Sequence, residues 1–292
     1  MESPIGFRIA SQLALRLPSK AAYYLGEKIG VAYGASKREE NQAIQENLRW
    51  IINRDISTSE MKLLVQQVYG YFVKYLVDLF RIQEISKIFI QRKVSLDGLE
   101  QLDEVIKQEQ GGILLTAHLG SWEVGGAILA TLGYPISVIS LSHKDPWVDR
   151  FFRQQRLLKG VQTIPIQSAL KGAITGLRQR HLIAILADRD YTNQGVPVQF
   201  LGKSICLPKG AAYLAIKMGL PVIPTFVIRN NENSIEIHCE KPISYSALKL
   251  KKYNDDKVTL LTQRFAQILE SYIRRYPTQW LVFRRFWEPI TS

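Results

Sequence analysis

The feature that most constrains this 292-residue chain is an apolar run at residues 112–117 that is followed directly by His118. A Gly-Ser pair comes next, and then a second apolar stretch at residues 124–132 that has the length of a helix. This order predicts a buried strand, a tight turn and a helix. Open α/β sheets bind ligands at the carboxyl edge of their strands, so His118 stands where a site is expected.

The second half of the chain continues this alternation, which predicts an α/β fold with a mainly parallel central sheet flanked by helices. The predicted strands are residues 94–96, 112–117, 136–141, 164–166, 182–187, 221–228 and 234–239. An Asn-rich turn at residues 230–233 separates the last two strands and predicts an antiparallel hairpin at the edge of the sheet.

The first third of the chain predicts helices, because apolar residues recur there at helical spacing. One such pattern contains Leu25, Ile29 and Ala32, and a longer stripe runs from Met61 to Leu79. We expect a single domain over residues 1–292, with a helical N-terminal segment at 1–90 and an α/β core at 91–292.

The charge of the chain indicates the class of partner but does not choose among the members of that class. Lys and Arg exceed Asp and Glu by 38 to 26, and the net charge of +12 predicts an anionic partner: nucleic acid, an acidic carrier protein or anionic lipid. Two cysteines and four histidines show no metal-ligand or disulfide spacing, so no metal is expected. We find no signal peptide, and a Gly-Tyr-Pro break at residues 133–135 argues against a membrane span in the uncharged run 124–143.

His118 and Glu123 are the candidate catalytic residues. Inside a regular helix, residues five apart would point about 140° away from each other, but the turn between these two allows them to meet. A carboxylate that holds one ring nitrogen leaves the other free to act as a base. The alternative is a structural His–Glu pair at a strand end.

Two further segments predict anion binding at the same edge of the sheet. Asp188 and Arg189 follow the apolar run 182–187, and the alternative there is an ion-pair loop that also uses Asp190. Lys209 precedes a predicted helix at 210–218, whose free N–H groups suit a phosphate or an oxyanion. The alternative for Lys209 is a solvated helix cap.

Two basic stretches remain open in their interpretation. Arg150, Arg153 and Arg156 recur on one face of a predicted helix, and a solvated basic face explains each of them equally well. Residues 274–287 interleave Arg with Trp, Tyr and Phe, a mixture that suits a membrane interface or single-stranded nucleic acid.

The run from His118 to Glu123, His-Leu-Gly-Ser-Trp-Glu, resembles block one of the glycerolipid acyltransferases, a histidine and an acid separated by four residues. The residues between and around these two are more similar to those of the bacterial lipid A late acyltransferases and the phosphatidylinositol mannoside acyltransferases, which commonly have Asn where this chain has Ser121. The resemblance extends over residues 94–287. It includes a Phe-x-Gly loop, a Pro-Lys-Gly helix start at Lys209 and a Tyr-Pro-x-Gln-Trp sequence that ends at Trp280.

The resemblance implies transfer of a fatty acyl chain from an acyl carrier protein or coenzyme A thioester to a hydroxyl of a membrane glycolipid such as a lipid A precursor. His118 would be the general base, oriented by Glu123. The substrate-binding residues would be Arg156, which begins an Arg-Leu-x-x-Gly-Val segment, together with Asp188, Arg189 and Lys209.

The same resemblance implies no cofactor beyond the thioester co-substrate, and peripheral attachment to anionic lipid at the cytoplasmic face of the bacterial inner membrane. No nucleic acid partner is expected. The alternatives are a phosphatidylinositol mannoside or lysophospholipid acyltransferase, and a basic lipid- or nucleic-acid-binding protein without activity.

Overall fold

The helices and strands alternate after residue 93, as the apolar pattern predicts. The computed structural model describes residues 4–230, 234–243 and 255–288. The helices in these residues are α1 (Pro4–Arg16), α2 (Ser19–Ala35), α3 (Arg38–Ile52), α4 (Thr58–Phe80), α5 (Lys87–Lys93), α6 (Glu100–Lys107), α7 (Trp122–Leu132), α8 (Pro146–Leu158), α9 (Ala169–Arg178), α10 (Gly210–Met218) and α11 (Asp255–Arg275). The strands are β1 (Val94–Asp97), β2 (Gly112–Thr116), β3 (Ile136–Ser140), β4 (Gln162–Pro165), β5 (Leu182–Leu186), β6 (Val196–Phe200), β7 (Lys203–Leu207), β8 (Val222–Arg229) and β9 (Ile235–Cys239).

Seven of these strands form one mainly parallel sheet in the order β1-β9-β8-β2-β5-β3-β4, which confirms the predicted fold class. Strands β8 and β9 pair antiparallel, as predicted, but the prediction that this hairpin forms the edge of the sheet was wrong. The short strand β1 pairs parallel with β9 and covers that edge, so the backbone groups of β9 are not left exposed. Residues 231–233 of the predicted turn lie outside the described residues.

Strand β2 lies in the interior of the sheet, and all of its residues are buried. Because successive side chains of a strand point to opposite faces, Leu114 packs into one apolar cluster and Ile113 and Leu115 into another. The first cluster contains residues of α4, α7 and α8, and the second contains residues of α9, α10 and α11. The N-terminal helices therefore cover one face of the sheet.

A buried ion pair links the N-terminal helices to the sheet. Asp78 on α4 accepts hydrogen bonds from the guanidinium of Arg229 on β8 and from the hydroxyl of Tyr23 on α2. Its second contact with the sheet side is Ser121, whose Oγ donates to Asp78 Oδ2 over 3.3 Å. Burial and the charge of Asp78 raise the pKa of Tyr23, which keeps its hydroxyl protonated as a donor.

Helices α1 and α2 carry large hydrophobic side chains on their exposed faces. These are Ile5, Ile9 and Leu13 on α1, and Tyr24, Leu25 and Ile29 on α2. The helical spacing of Leu25 and Ile29 is as predicted, but this stripe faces outward because α2 packs on α4 through small residues such as Gly30. None of the described helices combines the length and the apolar composition that crossing a bilayer requires.

We expect Asp78→Asn to lower the free energy of unfolding by about 3–5 kcal/mol, because it leaves the buried Arg229 without its counter-charge. Equilibrium urea denaturation measures this change. The matched control is Asp103→Asn, an exposed residue that also accepts a tyrosine hydroxyl, from Tyr134. Equal losses in the two variants would contradict a stabilising role for the buried pair.

Candidate active site

His118 and Asp188 lie side by side because of the register between β2 and β5. Thr116 pairs with Leu186 at the carboxyl end of the two parallel strands, and Ala187 N donates to Thr116 O over 2.9 Å. His118 and Asp188 each follow two residues beyond this pair. The ring Nδ1 of His118 is 2.8 Å from Asp188 Oδ1, so the two side chains form a hydrogen-bonded dyad.

The carboxylate of Asp188 has no solvent exposure and is held by further donors. Its Oδ2 accepts from the backbone N–H of His118 over 3.2 Å and from the indole Nε1 of Trp280 over 2.9 Å. Asp188 was expected to bind substrate, but it lies behind the imidazole and not on the cavity wall. Its hydrogen bonds are with the ring and backbone of His118 and with the indole of Trp280.

At neutral pH the imidazole of His118 is uncharged and the carboxylate of Asp188 is ionised. Burial lowers the pKa of His118, against the opposing effect of Asp188, so the ring is neutral. Burial alone would raise the pKa of Asp188, but the electrostatic interaction and hydrogen bond with His118, the charge of Arg189 and the indole N–H of Trp280 hold it well below its usual range. A neutral ring that donates Nδ1–H to an ionised carboxylate has an unprotonated Nε2, which is the form that a general base requires.

Glu123 pairs with Arg156, whereas the sequence predicted that it would hold the imidazole of His118. Its side chain projects from the first turn of α7, where its two carboxylate oxygens accept from Arg156 Nε and Nη2 over 2.9 and 2.5 Å. The indole ring of Trp122 lies edge-on beside the imidazole, with the ring centres 5.2 Å apart. The first turn of α7 therefore directs Glu123 towards α8, and Asp188 is the carboxylate beside His118.

The turn between β2 and α7 is fixed by its backbone. Gly120 has a φ of +63°, and a Cβ at this position would lie 1.9 Å from the carbonyl oxygen of Val227. Gly120 N donates to Gln279 O and Ser121 N donates to Val227 O, each over 2.9 Å. These contacts require glycine at position 120 and hold the turn against β8.

The structure distinguishes Arg156 from the other two arginines of α8. Arg150 and Arg153 are exposed, whereas Arg156 is 7% exposed and contributes to the wall of the cavity beside His118. Its third contact runs from Nη1 to Ser140 Oγ, over 2.9 Å. The pairing with Glu123 neutralises this guanidinium, so it is committed to the protein before any ligand binds.

Arg189 and Lys209 are also on the cavity wall, as the sequence predicts for a site at this edge. Arg189 donates to Leu281 O over 2.7 Å, and its buried Nε has no hydrogen-bond partner among the described residues. The alternative was a loop in which Asp190 forms an ion pair with Arg189. Asp190 instead accepts hydrogen bonds from Thr192 and from Gly195 N. Lys209 immediately precedes the first turn of α10.

The cavity has a volume of about 970 Å³ and is mostly apolar away from the dyad. His118, Arg189, Lys209 and the Glu123–Arg156 pair are among its polar residues. Its apolar wall includes Phe7, Leu129, Ile136, Val138, Phe152 and Val161. A cavity of this size and character, with a few polar groups at one place, is typical of a site for a ligand with a long apolar portion.

Sequence reasoning missed the pairing of His118 with Asp188 and the hydrogen bond from Trp280 to Asp188. The signal for the first was present, since both residues stand at equal distances beyond their strands. Trp280 was assigned to a basic-aromatic stretch, but it is 3% exposed, and Phe286 in the same stretch is 1% exposed. These two aromatic rings belong to the interior and do not form an exposed surface.

Comparison with known proteins finds a family model and relatives that cover most of the chain. The family model for bacterial lipid A biosynthesis acyltransferases matches residues 7–288. The phosphatidylinositol mannoside acyltransferase of Mycolicibacterium smegmatis is 22% identical over 265 residues, which are 88% of this chain and 83% of the relative. The lipid A biosynthesis acyltransferase of Haemophilus influenzae is 21% identical over 262 residues, 87% of this chain and 82% of the relative.

The match of the family model covers nearly the whole chain, from α1 to the residues after α11 that hold the dyad. The relatives at low identity carry the same class of activity in their names. The chain therefore belongs to the bacterial lipid A biosynthesis acyltransferase family and is an acyltransferase.

Proposed function

We propose that this acyltransferase moves a fatty acyl chain from the thioester of acyl carrier protein or coenzyme A to a hydroxyl of a membrane glycolipid such as a lipid A precursor. The observation that carries the proposal is the His118–Asp188 dyad at the wall of a large apolar cavity. Family membership supports an acyl donor and a lipid acceptor.

In the proposed reaction, Nε2 of His118 takes the proton of the acceptor hydroxyl as its oxygen attacks the thioester carbonyl carbon. The tetrahedral intermediate then collapses, the carbon–sulfur bond breaks, and the thiol leaves with the proton from the imidazolium. Asp188 remains ionised throughout and stabilises the imidazolium, as an orienting acid does in other histidine-based sites.

The position of Ser121 supports a direct transfer without an acyl-enzyme. Ser121 is 3% exposed, and its hydroxyl donates to Asp78 behind the turn. A serine nucleophile would need its oxygen within reach of the base and of the substrate. The acceptor hydroxyl is therefore the nucleophile in this proposal.

Arg189 and Lys209 are the residues that we assign to negative charge, either a phosphate of the substrates or the developing oxyanion. Both lie on the cavity wall. Lys209 adds a cation beside the N–H groups at the start of α10, and Arg189 has a buried Nε without a partner among the described residues. Arg156 has a smaller part in this assignment, because Glu123 already neutralises it.

The structure argues against nucleic acid as the partner that explains the charge. Single-stranded nucleic acid binds by stacking on exposed aromatic rings, whereas Trp280 and Phe286 are packed inside the protein. A phosphatidylinositol mannoside and a lysophospholipid remain alternative acceptors, and they are outcomes of the experiment that follows.

The proposal is tested by incubating purified protein with radiolabelled acyl carrier protein and coenzyme A thioesters and a total bacterial lipid extract, and then identifying the labelled lipid. We expect one glycolipid to be labelled by the wild type and not by His118→Ala. Equal labelling by His118→Ala, or no labelled lipid with either donor, would contradict the proposed reaction.

Asp188→Asn should reduce kcat more than Glu123→Gln does. An amide beside Nδ1 favours the wrong ring tautomer, and such a loss costs about 10⁴-fold in other histidine-based enzymes. Glu123→Gln should chiefly lower stability, because it leaves Arg156 buried without its counter-charge. Steady-state kinetics and urea denaturation separate the two effects, and Glu123→Gln combined with Arg156→Met should recover stability. The reverse order in kcat would restore Glu123 as the orienting acid.

The pH profile should follow the lowered pKa of His118. Only the unprotonated ring acts as a base, so kcat/KM should rise with pH through that pKa, with a midpoint below the ordinary histidine value of about 6.5. The profile is measured at saturating acceptor with varied thioester. An inflection above about pH 7 would be inconsistent with a buried histidine base.

The apolar part of the cavity is the proposed acyl site, and Gly126 tests it. A Cβ on Gly126 would meet no atom within 4 Å, and this residue contributes to the cavity wall. Gly126→Leu should therefore reduce kcat/KM for a palmitoyl donor by about 10–200-fold, while a butyryl donor, which serves as the internal control, changes little. Equal losses with both donors would place the acyl chain elsewhere.

We further propose that the protein attaches peripherally to the cytoplasmic leaflet of the inner membrane through α1 and α2. Ile5, Ile9 and Leu13 form an exposed apolar stripe on α1, and the exposed Arg8 and Arg16 flank it. Such a helix suits an anionic bilayer surface. Phe7 on the opposite face of α1 reaches the cavity, so a bilayer on the outer face would lie one helix away from the acyl site.

Ile9→Glu should weaken binding to anionic vesicles by about tenfold, since one large apolar side chain would no longer enter the bilayer. Vesicle co-sedimentation at low and high salt measures the effect, and salt should weaken binding further by screening the arginines. The matched control is Leu260→Glu, an exposed leucine on α11. Equal losses in both variants would argue against α1 as the attachment surface.

A further inference from the structure

The residues that follow α11 contact both members of the dyad. The indole of Trp280 donates to Asp188 Oδ2 over 2.9 Å, and Leu281 N donates to His118 O over 2.9 Å. The carbonyl oxygen of Gln279 accepts from Gly120 N in the turn that follows His118. The side-chain amide of Gln279 is fixed in turn by the backbone N–H and carbonyl of Arg229.

We propose that Trp280 is a positioning residue for the reaction proposed above, because its indole N–H fixes the carboxylate of Asp188 with Oδ1 directed at His118 Nδ1. Two donors hold Oδ2, namely this indole and the backbone N–H of His118. The backbone bond is the longer of the two, at 3.2 Å. Trp280 is not on the cavity wall, so its effect on the reaction passes through Asp188.

The indole also sets how strongly Asp188 attracts the imidazolium. A donor to Oδ2 spreads the negative charge of the carboxylate and makes it a weaker base. Without this donor, Asp188 would stabilise the protonated ring more strongly, and the pKa of His118 would rise. Removal of the N–H should therefore raise the pKa of His118, provided that another ring fills the same space and keeps water out.

The test replaces Trp280 in two ways. Trp280→Phe removes the N–H and part of the ring, and site-specific replacement of Trp280 by benzothienylalanine exchanges the N–H for sulfur in a ring of the same shape. The matched control is Trp287→Phe in the same aromatic cluster, because its buried Nε1 has no hydrogen-bond partner among the described residues.

We expect both Trp280 replacements to lower kcat by about tenfold, with little change in KM for the thioester. The pKa of His118, read from histidine-selective NMR titration without substrate, should rise by about half a unit in the benzothienylalanine protein. Trp287→Phe should match the wild type in both measurements.

An unchanged His118 pKa and kcat in the benzothienylalanine protein would overturn the proposal, and so would equal effects in Trp287→Phe. The titration does not depend on the reaction, so it separates the two claims. If the His118 pKa shifts in the benzothienylalanine protein but the wild type transfers no acyl group, the positioning of the dyad by Trp280 stands and the proposed function is overturned.

Discussion

Placing the carboxylate of Asp188 where no water reaches it costs free energy, and the hydrogen bonds to that carboxylate must offset the cost. The donors come from two parts of the chain, the ring and backbone of His118 after β2 and the indole of Trp280 after α11, while Asp188 itself follows β5. The carboxylate is satisfied only when all three segments are in register. One buried charge thereby fixes the geometry of the dyad and joins the sheet to the residues that follow the last helix.

Two other buried carboxylates are paired with arginines around the same turn. Glu123 and Arg156 neutralise each other at the cavity wall, and Asp78 and Arg229 do so behind Ser121. Buried ion pairs of this kind contribute little net stability, but breaking one partner away is costly. They therefore act as constraints on the turn after β2, which has to hold the dyad at the wall of an apolar cavity.

Much of the fold could be predicted from the spacing of apolar residues, because buried parallel strands have short, continuous apolar sequences between helices. The position of His118 at a strand end was predictable for this reason, as was Lys209 at a helix start. The choice between Glu123 and Asp188 was not, since it depends on the register of β2 against β5 and on the direction of the first turn of α7. Proximity along the chain favoured Glu123, whereas the sheet brings Asp188 closer.

Two other outcomes lay beyond a single sequence. An antiparallel hairpin can be recognised from its own residues, but whether it forms an edge depends on the distant strand β1. An amphipathic stripe such as Leu25 and Ile29 predicts a helix with one apolar face, but the pattern does not tell which surface that face meets. The packing of α2 on α4 through its small residues decides this, and it turns the apolar stripe outward.

The central claim is that Asp188 holds His118 in the tautomer of a base, with the proton on Nδ1 and a free Nε2. The nitrogen-15 chemical shifts of the His118 ring at neutral pH, assigned by comparison with His118→Ala, measure this directly. We expect a protonated Nδ1 and an unprotonated Nε2 in the wild type, and loss of this pattern in Asp188→Asn but not in Glu123→Gln. A proton on Nε2 in the wild type, or a tautomer that responds to Glu123 and not to Asp188, would contradict it.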